Sequence, residues 1–307
     1  MIFDSFKKNQ IAEYLPRVRG KYKYNVSMKK HTRLGVGGNA EVVFLPVDTQ
    51  DLCDFLHNKP RNMPIFVLGG GSNVLVRDGG IIGVVIKLSA PFFKRHEVKG
   101  KNVTCFAGMN NRELANIMCE YRLGGLEFLC TIPGTIGGAL RSNAGCFGYC
   151  IGDFLESALI SDGQGEVRIV SAEDFKLGYR SSLFPEDWIV LALTFELFPS
   201  TRHEIRKKIK EYDNYRKEHQ PYNMRTAGSF FKNPDGLKAW ELIKKCGCDK
   251  FKHGGAEVSE LHCNFLINKG NATAEDIEIL AEQIATKVKE TTFIQLETEV
   301  KKVGVKI

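Results

Sequence analysis

The chain has 307 residues, 43% hydrophobic and 26% charged, with 43 Lys+Arg against 36 Asp+Glu for a formal net charge of +7. That is an ordinary globular composition, long enough for two or three folding units, and it excludes disordered, collagen-like and disulfide-stapled chains. The modest positive charge suits phosphate-bearing partners and serves solubility equally well.

In chain order, the opening Met1–Lys8 runs into Asn9, Gln10 and Glu13 without the apolar core of a signal peptide, so a cytoplasmic protein is expected. Residues 1–31 are polar and basic. From 32 to 200 the texture is glycine-rich, with short β-branched runs at Ile65–Leu68, Val84–Ile86, Ala158–Ile160 and Ile189–Leu193 that read as strands. The longest apolar run, Ile81–Ile86, is far too short to cross a bilayer and reads as a buried strand, so no membrane partner is expected. One helix interrupts them, with Leu114, Ile117, Met118 and Tyr121 on one face and Gly124-Gly125 as its stop.

Beyond about residue 201 the pattern turns helical. Ile205, Ile209 and Tyr212 recur at helical spacing before Pro221. The many Lys and Arg of 202–217 alternate with Glu204, Glu211 and Asp213, which fits a solvated face better than a nucleic-acid surface, and no nucleic acid is expected. A second helix carries Trp240, Ile243 and Cys246, with Gly247 as its cap, and a third carries Ile277, Leu280, Ile284 and Val288 behind a capping box of Thr273 and Asp276. Cys263–Asn268 and the alternating tail Phe293–Ile307 read as strands. The fold class is therefore α+β, with a soft boundary near 200.

Nine cysteines, odd in number and scattered, suit reduced thiols. Cys146/Cys150 and Cys246/Cys248 lack the spacing of a zinc knuckle, so no metal is expected. His96-Glu97 and His203-Glu204 lack the second histidine of a zincin, and no G-x-S-x-G elbow exists.

Glycine carries more information. Clusters stand at Gly35–Gly38, Gly69–Asn73 and Pro133–Ala139. Any one could be a turn requiring positive φ. The second lies between two strands, Ile65–Leu68 and Val74–Val76. Val74 breaks the dinucleotide fingerprint, and no G-K-[ST] supplies a P-loop. Consecutive amides without Cβ atoms can converge on a pyrophosphate, with Ser72 and Asn73 as added donors. Two such loops could grip two parts of one extended phosphate-bearing ligand.

Leu68, Gly69, Gly70, Gly71, Ser72, Asn73 and Val74 resemble the pyrophosphate loop of the vanillyl-alcohol-oxidase type of FAD domain. Ile132, Pro133, Gly134, Thr135 and Gly138, then Asn143, Ala144 and Gly145, resemble the second flavin-binding segment of the UDP-N-acetylenolpyruvoylglucosamine reductase family. Gly178–Phe184, Ala227–Pro234 and Leu296–Val300 follow in that family's order, so the resemblance spans nearly the whole chain. It is to the shorter, second type, without a clear counterpart of the inserted loop whose tyrosine closes over substrate in the first.

The resemblance implies a PCMH-type FAD region in two parts, 1–90 (joined by the tail 297–307) and 91–200, and a substrate domain at 201–296. It implies non-covalent FAD, NADPH as electron donor, and UDP-N-acetylglucosamine enolpyruvate as the acceptor in peptidoglycan synthesis. Flavin hydride goes to the vinyl carbon, and the enolate-like charge left behind must be stabilised and protonated. By resemblance Arg180 meets that charge, Ser229 delivers the proton, and Glu299 sits on the far side, protonated or sharing a proton. Glu297, two residues away, is the plausible confusion. Lys232 and Asn233 are assigned to the UDP diphosphate, and Arg225, His253 and His262 are optional. Read without the resemblance, Arg180 fits a structural salt bridge better than a catalytic role, and Ser229 could be a turn or capping serine. A monomer is expected. Two rivals stay open: an oxidase of the same superfamily, often with covalent flavin, and a nucleotide- or RNA-binding module without catalysis.

Overall fold

The computed structural model describes residues 11–307. The opening ten, on which the expectation of no targeting segment partly rests, lie outside the described residues. Contacts group the chain into two units.

The first unit takes the described residues up to Tyr24, Val42–Gly70 and Gly83–Tyr215. Its main sheet is five-stranded and antiparallel, in the order Val167–Ser171, Leu155–Ser161, Ile189–Glu196, Asn102–Phe106, His96–Lys99. Buried Val103, Cys105, Ala158, Ile160, Leu193 and Phe195 alternate along these strands and build one core. Ile65–Val67 pairs in parallel with Ile81–Ile86, so both apolar runs are strands as read. Helix α1 (Thr49–Asn58) starts at Asp48, whose side chain accepts the Asp51 amide, and buries Leu52, Phe55 and Leu56. Asp51 is itself buried, accepting amides from Arg19, Gly20 and Val47 at 2.7, 2.9 and 3.0 Å.

Helix α2 (Asn111–Tyr121) buries Leu114, Ala115, Met118 and Cys119. Two details differ from the sequence reading. Tyr121 is 51% exposed, and the stop is Arg122 at φ 59, not Gly124-Gly125. Arg122 takes the left-handed cap itself, and the chain enters the short strand Leu123–Gly124 at once. Helix α3 (Ile136–Arg141) follows the second glycine loop. Helix α4 (Arg202–His219) is mostly solvated, with only Ile205 fully buried. It is fastened by the Arg112–Asp213 fork at 2.7 and 2.6 Å and by Tyr212 stacked on Phe147 at 4.1 Å, whereas Tyr215 is half-exposed.

The second unit takes Asn25–Glu41, Gly71–Ile82 and Arg216–Ile307. Its four-stranded antiparallel sheet has the order Arg225–Ser229, Phe265–Asn268, Ala256–Val258, Lys252–His253. Helices α5 (Ala239–Lys245) and α6 (Ala274–Thr292) pack with it around Ile277, Leu280, Ile284 and Val288, as the sequence predicts. The α5 core face is Ala239, Leu242 and Ile243; Trp240 is 40% exposed, a correction to its expected place on the apolar face. The Thr273–Asp276 capping box forms. Asp78 then accepts the Ala274 and Glu275 amides at 3.0 Å each, so the α6 N-terminus is satisfied within the protein.

The tail is not one strand. Only Lys301–Val303 is, in parallel with Val74–Val76, with a separate bridge of Thr298 to Phe231. Two different partners, one after the other, prevent a continuous ladder. No described helix is long and apolar enough to cross a membrane.

Candidate active site

Within the first unit, Gly69 and Gly70 meet the second glycine loop. A Cβ at Gly70 would stand 2.6 Å from Gly134 Cα, and one at Gly69 would stand 2.6 Å from Thr135 Oγ1. Glycine is therefore demanded first by the loops' approach to each other. Among the described residues no acceptor meets the amides of Gly69, Gly70 or Gly71, and Gly71 is buried. Gly69 is half-buried and Gly70 exposed, and consecutive amides without Cβ atoms can converge on an anion, so the loop fits the pyrophosphate of FAD. Asn73 is less available than its expected donor role requires: its Nδ2 donates to the Glu299 carbonyl at 3.2 Å.

The segment 141–145 does something the sequence reading did not assign. Arg141 donates to the carbonyls of Pro185, Glu186 and Trp188 at 3.0, 3.0 and 2.8 Å and lies 4.1 Å over the Phe184 ring. Burial pulls its guanidinium below the usual arginine range. Ser182 Oγ donates to the Arg141 carbonyl at 2.7 Å. Asn143 donates to the Gly178 carbonyl at 2.9 Å and accepts the Gly152 amide at 3.1 Å. The Gly145 carbonyl accepts Arg180 Nη2 at 2.6 Å. Arg180 itself sits at φ 50, a conformation non-glycine residues seldom adopt, so the surrounding clasp holds it there. Asn143, Ala144 and Gly145, expected at the flavin, thus serve at least as the wall that carries the Arg180 loop; Ala144 donates to Ala139 and accepts Ile151.

In the second unit, Ser229 ends a strand with an irregular register. Arg225 pairs with Asn268 and Thr226 with Ile267, but Ser229 pairs with Phe265. Three residues on one strand match two on the other, which is a bulge, with Gly228 at φ 88. Strict alternation would put Ser229 on Arg225's face. The bulge turns it onto the face of Thr226, Phe265 and Ile267. The Thr226 hydroxyl on that face is buried without a partner among the described residues.

The chain then continues as Phe230–Lys232 beside the tail. Glu299 N–H donates to the Phe230 carbonyl at 2.8 Å, and Lys232 N–H to the Glu297 carbonyl at 2.8 Å. Lys301 N–H donates to the Asn73 carbonyl at 3.1 Å. Ser229, Glu299 and Asn73, more than 220 residues apart in part, are thereby tied by main-chain bonds. The two glutamates of the tail differ in exposure. Glu297 is 74% exposed and pairs with Lys232 at 3.5 Å, while Glu299 is half-buried. Asn233 Oδ1 accepts the Ala239 amide at 3.0 Å at the start of α5, a structural use beside its expected substrate role.

Asn264 is a residue that sequence reasoning missed. It is buried, and its side chain grips the Phe231 backbone at both ends, accepting the N–H at 3.0 Å and donating to the carbonyl at 2.9 Å. Nothing in the local pattern marks it, because its partner is 33 residues away. Asn264→Leu should orphan two buried groups and cost about 2–4 kcal/mol of stability, read as a lower denaturant midpoint with an unchanged slope. A midpoint equal to wild type would show the clasp to be dispensable.

Residues 220–303 match the family model described as UDP-N-acetylenolpyruvoylglucosamine reductase, C-terminal domain, and residues 40–171 match one described as FAD binding domain. A UDP-N-acetylenolpyruvoylglucosamine reductase from Paramagnetospirillum magneticum is 43% identical over 300 residues, covering 98% of this chain and 97% of its own length. The chain belongs to the UDP-N-acetylenolpyruvoylglucosamine reductase family. A Bradyrhizobium member is 44% identical across 95% of both chains. The crystal structure of the family member from Thermus caldophilus superposes with a TM-score of 0.81 at 32% identity, covering 94% of this chain and 100% of that one. The α+β fold with the PCMH-type FAD region that the resemblance implies is therefore that of the reductase family.

Proposed function

We propose that Arg180, Ser229 and Glu299 carry the reduction of UDP-N-acetylglucosamine enolpyruvate to UDP-N-acetylmuramate. The chain is an FAD-dependent oxidoreductase of peptidoglycan synthesis that uses NADPH. When bound, FAD takes electrons from NADPH and supplies the hydride that adds to the vinyl carbon. Arg180 then stabilises the negative charge that develops on the neighbouring carbon and its carboxylate. The Ser229 hydroxyl gives its proton to that carbon, and Glu299 supports the transfer from the other side. Lys232 and Asn233 bind the UDP diphosphate. The loop from Leu68 to Val74, with Ile132, Pro133, Gly134, Thr135 and Gly138, binds FAD. The chain acts as a monomer in the cytoplasm, with FAD subdomains at 1–90 and 91–200 and a substrate domain at 201–296.

The observation that supports this reading best is the main-chain pairing of the Ser229 strand with the Glu299 tail, which joins two polar groups from distant sequence. The purified protein should be yellow, release its flavin on acid precipitation, bleach with NADPH, and recolour with the enolpyruvyl substrate in the absence of oxygen. Retention of flavin in the acid pellet, or no recolouring, would favour an oxidase of the same superfamily. Gly70→Leu should yield protein without flavin, because the side chain would enter the Gly134 backbone and part the two loops. Full flavin occupancy in that variant would remove this loop from the cofactor site.

A further inference from the structure

The second unit holds a cavity of about 520 Å³ lined by Lys29, Lys30, Arg33 and Arg225 on one side and by Asn271–Thr273 on the other. No lining residue is acidic. Among the described residues, none of the four cations forms an ion pair. Four like charges brought around one cavity repel each other, a cost that an anion would offset. The volume falls within the range of small-molecule sites, roughly 300–1,000 Å³.

The walls are held by a buried side chain. Asn268 donates to the carbonyls of Leu34 and Gly35 at 2.9 and 3.3 Å and accepts the amides of Gly270 and Ala272 at 2.7 and 3.1 Å. One residue thus fixes the segment carrying Arg33 to the loop before α6. Asn268 also stands opposite Arg225 in the ladder, and a Cβ on Gly35 would come within 3.3 Å of the Arg225 stem. The α6 amides contribute nothing here, since Asp78 and Thr273 already accept them. The anion must be met by side chains.

The bulge separates this cavity from the catalytic serine. Arg225 and Ser229 lie on one strand but on opposite faces of the sheet. The reaction assigned to Ser229 and Glu299 leaves these four cations unused.

We propose that Lys29, Lys30, Arg33 and Arg225 form a second anion site, distinct from the Ser229–Glu299 group, that takes a diphosphate. The diphosphate is carried on a nucleotide or is free pyrophosphate, and the chemistry recognised is the same. Arg225 offers a forked donor to two phosphate oxygens, Arg33 offers the N–H groups left beside its Nη2 bond to the Tyr222 carbonyl at 3.4 Å, and the lysines add charge.

The test uses the flavin-loaded protein carrying Lys232→Ala, which weakens diphosphate binding at the assigned substrate position and leaves the cavity intact. Inorganic pyrophosphate is titrated calorimetrically into this protein and into the same protein carrying Lys30→Gln and Arg225→Gln. Each lost charge-assisted contact should weaken binding by roughly tenfold or more. NADP⁺, which carries the same diphosphate and does not reduce the flavin, and UDP are titrated in parallel. If their affinities fall with pyrophosphate's, the ligand is nucleotide-borne; if only pyrophosphate's falls, it is the free anion. Pyrophosphate affinity unchanged by both glutamine substitutions would overturn the proposal. Unaltered flavin absorbance and melting temperature check folding, and Lys30→Gln alone, at an exposed side chain, provides a second variant.

Discussion

Ser229→Ala should bleach with NADPH at the wild-type rate and then recolour with the enolpyruvyl substrate about 10²–10⁴ times more slowly, the usual share of general acid catalysis. The two halves of the reaction make different demands on this hydroxyl. In the proposed mechanism flavin reduction needs no proton from it, whereas the developing enolate does. The variant should fold, since the strand pairing around the bulge and the Asn264 side-chain clasp on the Phe231 backbone do not use the Ser229 hydroxyl. Substrate affinity should change little, because one hydroxyl is a small part of a UDP-sugar contact. Stopped-flow absorbance follows both phases in one experiment. Equal slowing of both would indicate a displaced flavin, and unchanged recolouring would pass the proton-donor role to Glu299.

Arg180→Lys should lower turnover by roughly 10²–10³ while flavin content stays normal. The positive charge survives, so a loss of this size would isolate geometry as the cause. The planar guanidinium can bond to the Gly145 carbonyl through one nitrogen while its fork keeps a fixed direction. An ammonium on a flexible stem cannot hold both relations at once. The variant also keeps a non-glycine residue at φ 50, so backbone strain is matched between the two proteins. Turnover near wild type would place Arg180 outside the chemistry and leave it as a structural residue of the 178–188 loop.

Legibility in the sequence followed the range of the interaction. The capping box at Thr273, the strand runs and the glycine loops depend on residues within a few positions, and each was readable. The stop of α2 was misread because Arg122 takes a left-handed conformation for which glycine is the usual signal. Trp240 was misplaced because a short helix with a small residue at Ala239 buries that position instead. The bulge before Ser229, the Asn264 and Asn268 clasps and the Arg141 grip on residues 184–188 have no local signature. Each is defined by a partner that only the folded chain brings near. For the same reason the choice between Glu297 and Glu299 rests on resemblance, while the fold exposes the first and half-buries the second.

The pairing of Lys301–Val303 with Val74–Val76 has a consequence for how the enzyme comes into being during synthesis. A strand that waits for a partner more than 220 residues downstream cannot complete its ladder while the chain is still emerging from the ribosome. Its hydrogen-bonding edge stays open throughout translation, and closing so long a loop is slow. The same tail brings Glu299 to the Ser229 strand, so a nascent or prematurely terminated chain lacks both the closed edge and the completed polar group. Translation products that stop short of residue 299 should therefore be exposed to chaperones and proteases and, with Glu299 in its proposed role, inert toward substrate.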